Sequence, residues 1–335
     1  MTFVQNISNY ASGVCDSLIT LFSAPGSFLS PAPLLVAGML GAIIIGRRLR
    51  AAGKAAGFRA VIGELFPARV WKQMSARHDV FIVLINEGLL FFVGGLAFLA
   101  VEPLRDAAVT LIGVEGALEQ PARTGVIAKI LFGIYFALAW DFFTTYAHYL
   151  KHKVPFLWEF HKVHHCAEVL TPLTAMRRHP VEIVASAIIT GLGIAFALIL
   201  WLLIFGAPGT SLEIGGTALV IYVWRIAGYN LRHSHIWISY GPFWNRYLVS
   251  PAHHQLHHSR APKHHDCNFG HIFTIWDRML GTHYAPIEGE TFELGIEREE
   301  NAKLGTLRAL YVRPLHRAFA LLTPKQAAPV PPPAE

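Results

Sequence analysis

Apolar residues in this chain fall into long continuous runs, without the strict alternation of strands or the one-sided pattern of soluble helices. A helix that crosses a bilayer needs about 20 mostly apolar residues. Five segments meet or approach that length: 30–46 (SPAPLLVAGMLGAIIIG), 80–101, 125–147, 181–206 and 214–231. Asn86 and Glu87 in the second run and Arg225 in the fifth each require a partner inside a bundle or a place at its edge. The pattern predicts an all-α, polytopic transmembrane helical bundle.

Composition agrees with a membrane protein: mean hydropathy is +0.41 and only 15% of residues are charged. Basic residues set the orientation. Arg47, Arg48, Arg50, Lys54, Arg59, Arg69, Lys72 and Arg77 follow the first run, whereas 102–124 holds only Arg105 and Arg123 and 207–213 holds none. The first loop is therefore expected in the cytoplasm. Counting onward, 148–180 and everything after about 232 fall on the same side, as a histidine-rich helical cap. The net charge of +6 is modest and clusters at the ends of apolar runs, so it reads as a topology signal and not as a nucleic-acid footprint. Cys15, Cys166 and Cys267 form no C-x-x-C pair and indicate neither a disulfide framework nor a thiolate zinc site. The start MTFVQNISNYASGVC lacks the basic residues of a signal peptide and is expected to be retained. The tail QAAPVPPPAE is too proline-rich to pack as a helix. These features divide the chain into an N-terminal transmembrane region with a basic loop (1–124), a region rich in histidine (125–290) and a C-terminal segment (291–335).

Eighteen histidines are far above ordinary usage, and most lie between 148 and 283. Residues three and four apart share a helix face. His148 and His152 therefore project together, as do His161, His164 and His165, and again His254, His257 and His258. Imidazole binds zinc, iron, copper and nickel, and eight such groups exceed what one tetrahedral zinc uses. Two adjacent metal ions account for them. His233 joins as a further expected ligand, while His179, His235 and His265 are candidates either to bind metal or to support a ligand. Asp141, Glu159, Asp266 and Asp277 are candidates to orient ligating imidazoles through their second N–H. Phe142, Phe143, Trp158, Phe160 and Trp224 could line a lipid channel, although aromatic residues at bilayer boundaries also serve as anchors or packing. His78 and His316 are isolated and carry no metal role.

DFFTTYAHYLKHKVPFLWEFHKVHH, TAMRRHP and SPAHHQLHHSRAPKHHDCNFGHIFTIWDRMLGTH follow one another over 140–284. In order and approximate spacing they resemble the histidine boxes and the closing N-F/Y-G, W-D-R and G-T elements of the fatty acid hydroxylase and sterol desaturase superfamily. The resemblance implies a membrane bundle with a cytosolic cap whose histidines hold two iron ions, which activate O2 to hydroxylate or desaturate a lipid. Zinc or another metal could occupy the site in isolated protein. The family's boxes fall on His148, His152, His161, His164, His165, His254, His257 and His258, and the histidine usually followed by Ser-Asn falls on His233. His235 stands where asparagine is expected, a departure from the pattern.

Breaking an unactivated C–H bond calls for a metal and O2, with the protein positioning both metal and substrate. The chain shows no G-x-G-x-x-G fingerprint and no haem or iron–sulfur pattern, so electrons are expected from a separate donor such as a ferredoxin or a cytochrome with its reductase. A bacterial inner membrane is the expected location. Sphingoid, sterol, ether-lipid, carotenoid and ornithine-lipid substrates all stay open. A metal transporter is a rival reading, but transport places ligands near the bilayer midplane, and these boxes lie at helix ends. A di-zinc hydrolase is another rival and would work without O2.

Overall fold

The structure, a computed structural model, describes residues 3–24, 27, 29–89, 126–205, 223–224 and 229–323. Among them the regular elements are helices, with pairing between extended segments limited to isolated bridges. The elements used below are α1 (Phe3–Ser23), α2 (Pro31–Ala51), α3 (Phe58–Leu65), α4 (residues 74–89), α5 (Val126–Lys153), α6 (Pro155–His165), α7 (Pro180–Phe205), α8 (Pro251–His257), α9 (Ile275–Leu280) and α10 (Leu307–Leu322).

Three described helices are long and apolar enough to cross a membrane: Pro31–Ala51, Ile130–Lys153 and Pro180–Phe205. They correspond to the predicted runs 30–46, 125–147 and 181–206. The run 80–101 enters as α4, which starts six residues earlier than predicted, at residue 74; its residues beyond 89 lie outside the described residues. So do most of 214–231 with Arg225, the 102–124 and 207–213 loops, and the proline-rich tail. The helix α1 was not among the predicted runs.

α5 and α7 run antiparallel, and their sequences fix the register. Phe132 and Tyr135 pack on Trp201, the Tyr135 hydroxyl donates to Ala197 O at 2.8 Å, and Lys151 pairs with Glu182 at 2.9 Å. Gly193 admits the Phe143 ring into the space a side chain would fill. Away from this seam the helices expose large apolar side chains, including Leu203 at 79% and Ile127 at 76%. A helix apolar all round belongs in hydrocarbon.

The cap begins where Pro155, whose ring cannot continue α5, opens α6. α6 buries Phe160 and Val163 as well as its three histidines. α10 covers it, with Leu310 joining Val163, Cys166, Ile82 and Leu304 in one core. Arg177, 2% exposed, locks the end of α6 to α4. It donates to Val163 O (2.7 Å), to Ser75 O (3.0 Å) and to Asp79 (3.0 Å). The polar pair in the second apolar run finds the partners it requires. Asn86 donates to Arg178 O and accepts from the Tyr311 hydroxyl, while Glu87 accepts from Ser17. On the other side α2 packs on Leu231 and Ile236, the segment that carries His233.

Candidate metal centre

Nine histidines meet where α5, α6, α8 and the turn after 230–232 converge, and they sort into two groups. His148, His152, His161, His165 and His257 form one, and His164, His233, His254 and His258 the other; within each group the ligand nitrogens lie within 4.8 Å of one another. Each triple divides between the groups. α6 sends His161 and His165, four apart on one face, to the first group and His164 to the second. The 254–258 triple sends His257 to the first group, and His254 and His258 to the second. Adjacent ions can therefore share the same two helices.

Hydrogen bonds at Nδ1 show what the first group requires. His148 Nδ1 donates to Phe269 O (3.0 Å), His257 Nδ1 to Cys267 O (2.7 Å) and His161 Nδ1 to Glu182 Oε1 (2.9 Å). Asp266 Oδ1 lies 3.5 Å from His152 Nδ1. With the proton at Nδ1, a neutral ring offers a bare lone pair at Nε2. Yet Nε2 of His148 and His257 are 3.0 Å apart, those of His152 and His165 are 3.1 Å apart, and buried His161 Nε2 has no partner. Converging lone pairs in a buried site repel one another unless a cation gathers them. In the second group the Nε2 atoms also converge, His254 to His233 at 2.8 Å, His258 to His254 at 3.2 Å and His233 to His164 at 3.3 Å. Arg232 Nη2 lies 3.1 Å from His254 Nδ1.

Burial above all holds His161, His164, His165, His233, His254, His257 and His258 well below the ordinary imidazole range, and the charge of Lys151, Arg178 or Arg232 lowers all but His165 and His258 further. They are neutral at pH 7, the state a metal ligand needs. An all-imidazole donor set suits iron, zinc or copper and not a hard oxygen-seeking ion. The residues thus fit a pair of transition-metal ions.

The supporting candidates fare differently. His179 is outside both groups: its Nδ1 accepts from Val181 N–H and its Nε2 donates to Tyr311 O. His235 turns away to donate to Glu64 O, and His265 donates to Arg260 O. Asp141 orients no imidazole and instead accepts from the N–H groups of Ile272 and Phe273 and from Trp276 Nε1. Glu159 pairs with Lys162. Asp266 does face His152, and hydrogen bonds to His152 and Lys153 hold its carboxyl well below the usual range. Asp277 acts one step removed. It accepts from the N–H groups of Phe269 and Gly270 (2.7 and 2.8 Å), fixing the loop whose carbonyl holds His148. The carboxylate that sequence reasoning missed is Glu182, 1% exposed, which holds both His161 and Lys151. The signal available was an acidic residue at the mouth of a very apolar helix.

A cavity of about 140 Å³ opens on the histidines between α5 and α7, with Thr144, Lys151, Arg178, Glu182, Ser186 and Thr190 in its wall. Phe142, Phe143, Trp158, Phe160 and Trp224 do not line it. Phe142 packs on Trp276, Phe160 on Phe156 and Trp224 on His271. Trp158 stands beside His152 and His165.

Residues 133–282 match the family model described as fatty acid hydroxylase. Alkylglycerol monooxygenase of Danio rerio is 32% identical over 140 residues, 42% of this chain and 27% of the relative. Ornithine lipid hydroxylase OlsE of Rhizobium tropici is 29% identical over 178 residues, 52% of this chain and 48% of the relative. Cholesterol 25-hydroxylase of Homo sapiens is 31% identical over 166 residues, 49% of this chain and 54% of the relative. The chain thus spans between about a quarter and about a half of the length of these relatives. No solved structure matches. The histidine boxes, the helical membrane fold and the matched segment agree: residues 133–282 of this chain are similar to the fatty acid hydroxylase family and to the lipid hydroxylases among its relatives.

Proposed function

We propose that this protein is a membrane-bound lipid monooxygenase with a di-iron centre. His148, His152, His161, His165 and His257 would hold one ion, and His164, His233, His254 and His258 the other. The observation that carries the reading is the convergence of neutral imidazoles whose Nδ1 protons are committed to Phe269 O, Cys267 O and Glu182. That commitment leaves Nε2 free for metal. When bound, the ions supply the O2 activation that attack on a saturated C–H bond requires.

The chain's own residues fix the imidazole tautomers, exclude water by burial, and present a cavity between two membrane helices to the substrate. The relatives are named for alkylglycerol, ornithine lipid and cholesterol, and hydroxylation of a lipid is what those names share. Electrons come from a separate donor, a ferredoxin or a cytochrome with its reductase. The site faces the cytoplasm of a bacterial inner membrane, in line with the basic 47–77 loop. Residues 125–290 form the catalytic region, flanked by the 1–124 membrane region and the 291–335 segment.

The test is lipid mass spectrometry of cells that express the protein or its His257→Ala variant, under air. Gain of one oxygen atom on a lipid, only with the intact site, supports the proposal. It fails if purified protein carrying two irons per chain, given reductant and O2, leaves every lipid of a total extract unchanged.

A further inference from the structure

α7 is highly apolar, yet Glu182, Ser186 and Thr190 recur along it at four-residue spacing, which places them on one face. All three line the cavity that opens on the histidines, together with Lys151, Arg178 and Arg232. Besides the histidines, four polar atoms in that wall are buried without a hydrogen-bond partner: Glu182 Oε2, Ser186 Oγ, Arg178 Nε and Arg232 Nε. Glu182 and Arg232 are only 1% and 5% exposed. Buried polar groups are almost always paired, so four unpaired ones around a single cavity point to a polar ligand.

Charge narrows its chemistry. Lys151 is neutralised by Glu182, while Arg232 donates to the carbonyls of Gly270 and His271. Arg178 has no ion-pair partner among the described residues. The wall therefore carries two guanidinium charges beyond the Lys151–Glu182 pair, and the neutral imidazoles beside it offset no positive charge. An acidic, oxygen-rich group matches the sign and the three donors, Ser186 Oγ, Arg178 Nε and Arg232 Nε, while Glu182 Oε2, an acceptor, calls for an O–H on the same headgroup.

Size narrows the position. A volume of about 140 Å³ is close to that of a cavity known to admit a single benzene-sized group. It takes a handful of heavy atoms and not a lipid chain. Just beyond Thr190 the two helices close, where the Phe143 ring fills the space over Gly193, so a chain does not continue between them.

Resting on the lipid monooxygenase reading, we infer that this cavity takes the acidic headgroup of the substrate, with Arg178 and Ser186 as its contacts. The carbon oxidised then lies within a few bonds of the headgroup and not at the far end of the chain. The acid is either a phosphate ester or a carboxylate, which share this chemistry.

The test uses full-length protein loaded with zinc, which binds ligand without turnover. Calorimetry compares hexyl phosphate, hexanoate, 1-hexanol and hexylamine. Binding of either anion, with the alcohol and the amine at least tenfold weaker, supports the inference; the stronger anion identifies the acid. Arg178→Gln weakens that binding at least tenfold and Ser186→Ala a few-fold, both with two zinc ions retained, which separates the headgroup site from direct metal coordination. Equal binding of hexylamine, or affinity unchanged in Arg178→Gln, overturns the headgroup site. With iron-loaded protein, tandem mass spectrometry then locates the added oxygen, and a position in the distal half of the chain also overturns the inference while leaving the monooxygenase intact. Anion binding by an iron-loaded protein that oxidises no lipid overturns the monooxygenase reading instead, and with it the inferred carbon.

Discussion

His148 and His257 face each other through Nε2 atoms 3.0 Å apart, and neither ring has a proton to place between them. Both protons are spent at Nδ1, on Phe269 O and Cys267 O. The contact is stable only around a cation. Chelation is therefore expected to lower the unfolding temperature in detergent, and iron(II) or zinc(II) to restore it; a ligand at about 100 times its dissociation constant adds about 2.7 kcal/mol. His257→Ala should lose about one of two ions per chain, because the second group does not use it. Elemental analysis reads this directly, and two ions per chain in the variant would remove His257 from the ligand set.

Glu182 Oε1 accepts from both Lys151 Nζ and His161 Nδ1, each at 2.9 Å. Glu182→Leu leaves a buried ammonium without its counter-charge, and breaking a buried pair from one side costs about 3–5 kcal/mol. Adding Lys151→Met removes that charge and restores most of the stability. It does not restore the acceptor for His161, so metal affinity stays about 10–100-fold down in the double variant, as for other lost partners of a ligating imidazole. Unfolding curves and metal titrations of the three proteins separate the two roles. Full metal affinity in the double variant would show that Glu182 serves only as the counter-ion of Lys151.

Eight of the nine converging histidines were legible because spacing on a helix is written locally, within four or five residues, while His233, outside those spacings, stood out through the family resemblance. Three spans were legible because an apolar run needs no partner to declare itself. Apart from Asp266, which faces His152, what holds the imidazoles was not legible. The Cys267 and Phe269 carbonyls belong to the backbone and have no side-chain signature, and Glu182 meets His161 only once α7 folds back along α5. Residue type also misleads where direction decides. His179, His235 and His265 have the right ring but spend it on the carbonyls of Tyr311, Glu64 and Arg260. Asp141 has the right carboxylate but faces the N–H groups of 272 and 273.

The closing motif elements hold one another. Asp277 of W-D-R accepts from the N–H groups of Phe269 and Gly270 of N-F-G and from the Thr282 hydroxyl of G-T. A Cβ on Gly270 would stand 2.6 Å from Asp277 Oδ2 and 2.8 Å from Val249 Cγ2. Gly270→Ala is thus expected to push the loop outward, costing about 1–3 kcal/mol as overpacking does, and to withdraw Phe269 O from His148. The variant should bind metal more weakly in the first group while keeping its helical content. Circular dichroism with a metal titration checks this, and wild-type metal affinity would show that the loop does not position His148.

Acid should dismantle the cap before the membrane helices. Burial holds the imidazoles of His161, His164, His165, His233, His254, His257 and His258 well below their ordinary range, and pushes His253 down to about 3. Their unfolded value is about 6.5. As pH falls below it, the unfolded chain takes up protons that the folded cap refuses, so stability is complete above about pH 6.5 and is lost progressively below it. Metal release runs in the same direction, since each ligand must be deprotonated to bind. Many groups shifted together make the dependence steep. Unfolding temperatures of metal-free protein in detergent are expected to be level between about pH 7 and 8 and to drop sharply below about pH 6. A flat profile through that range would mean that these histidines titrate alike in the folded and unfolded chain, which their burial forbids.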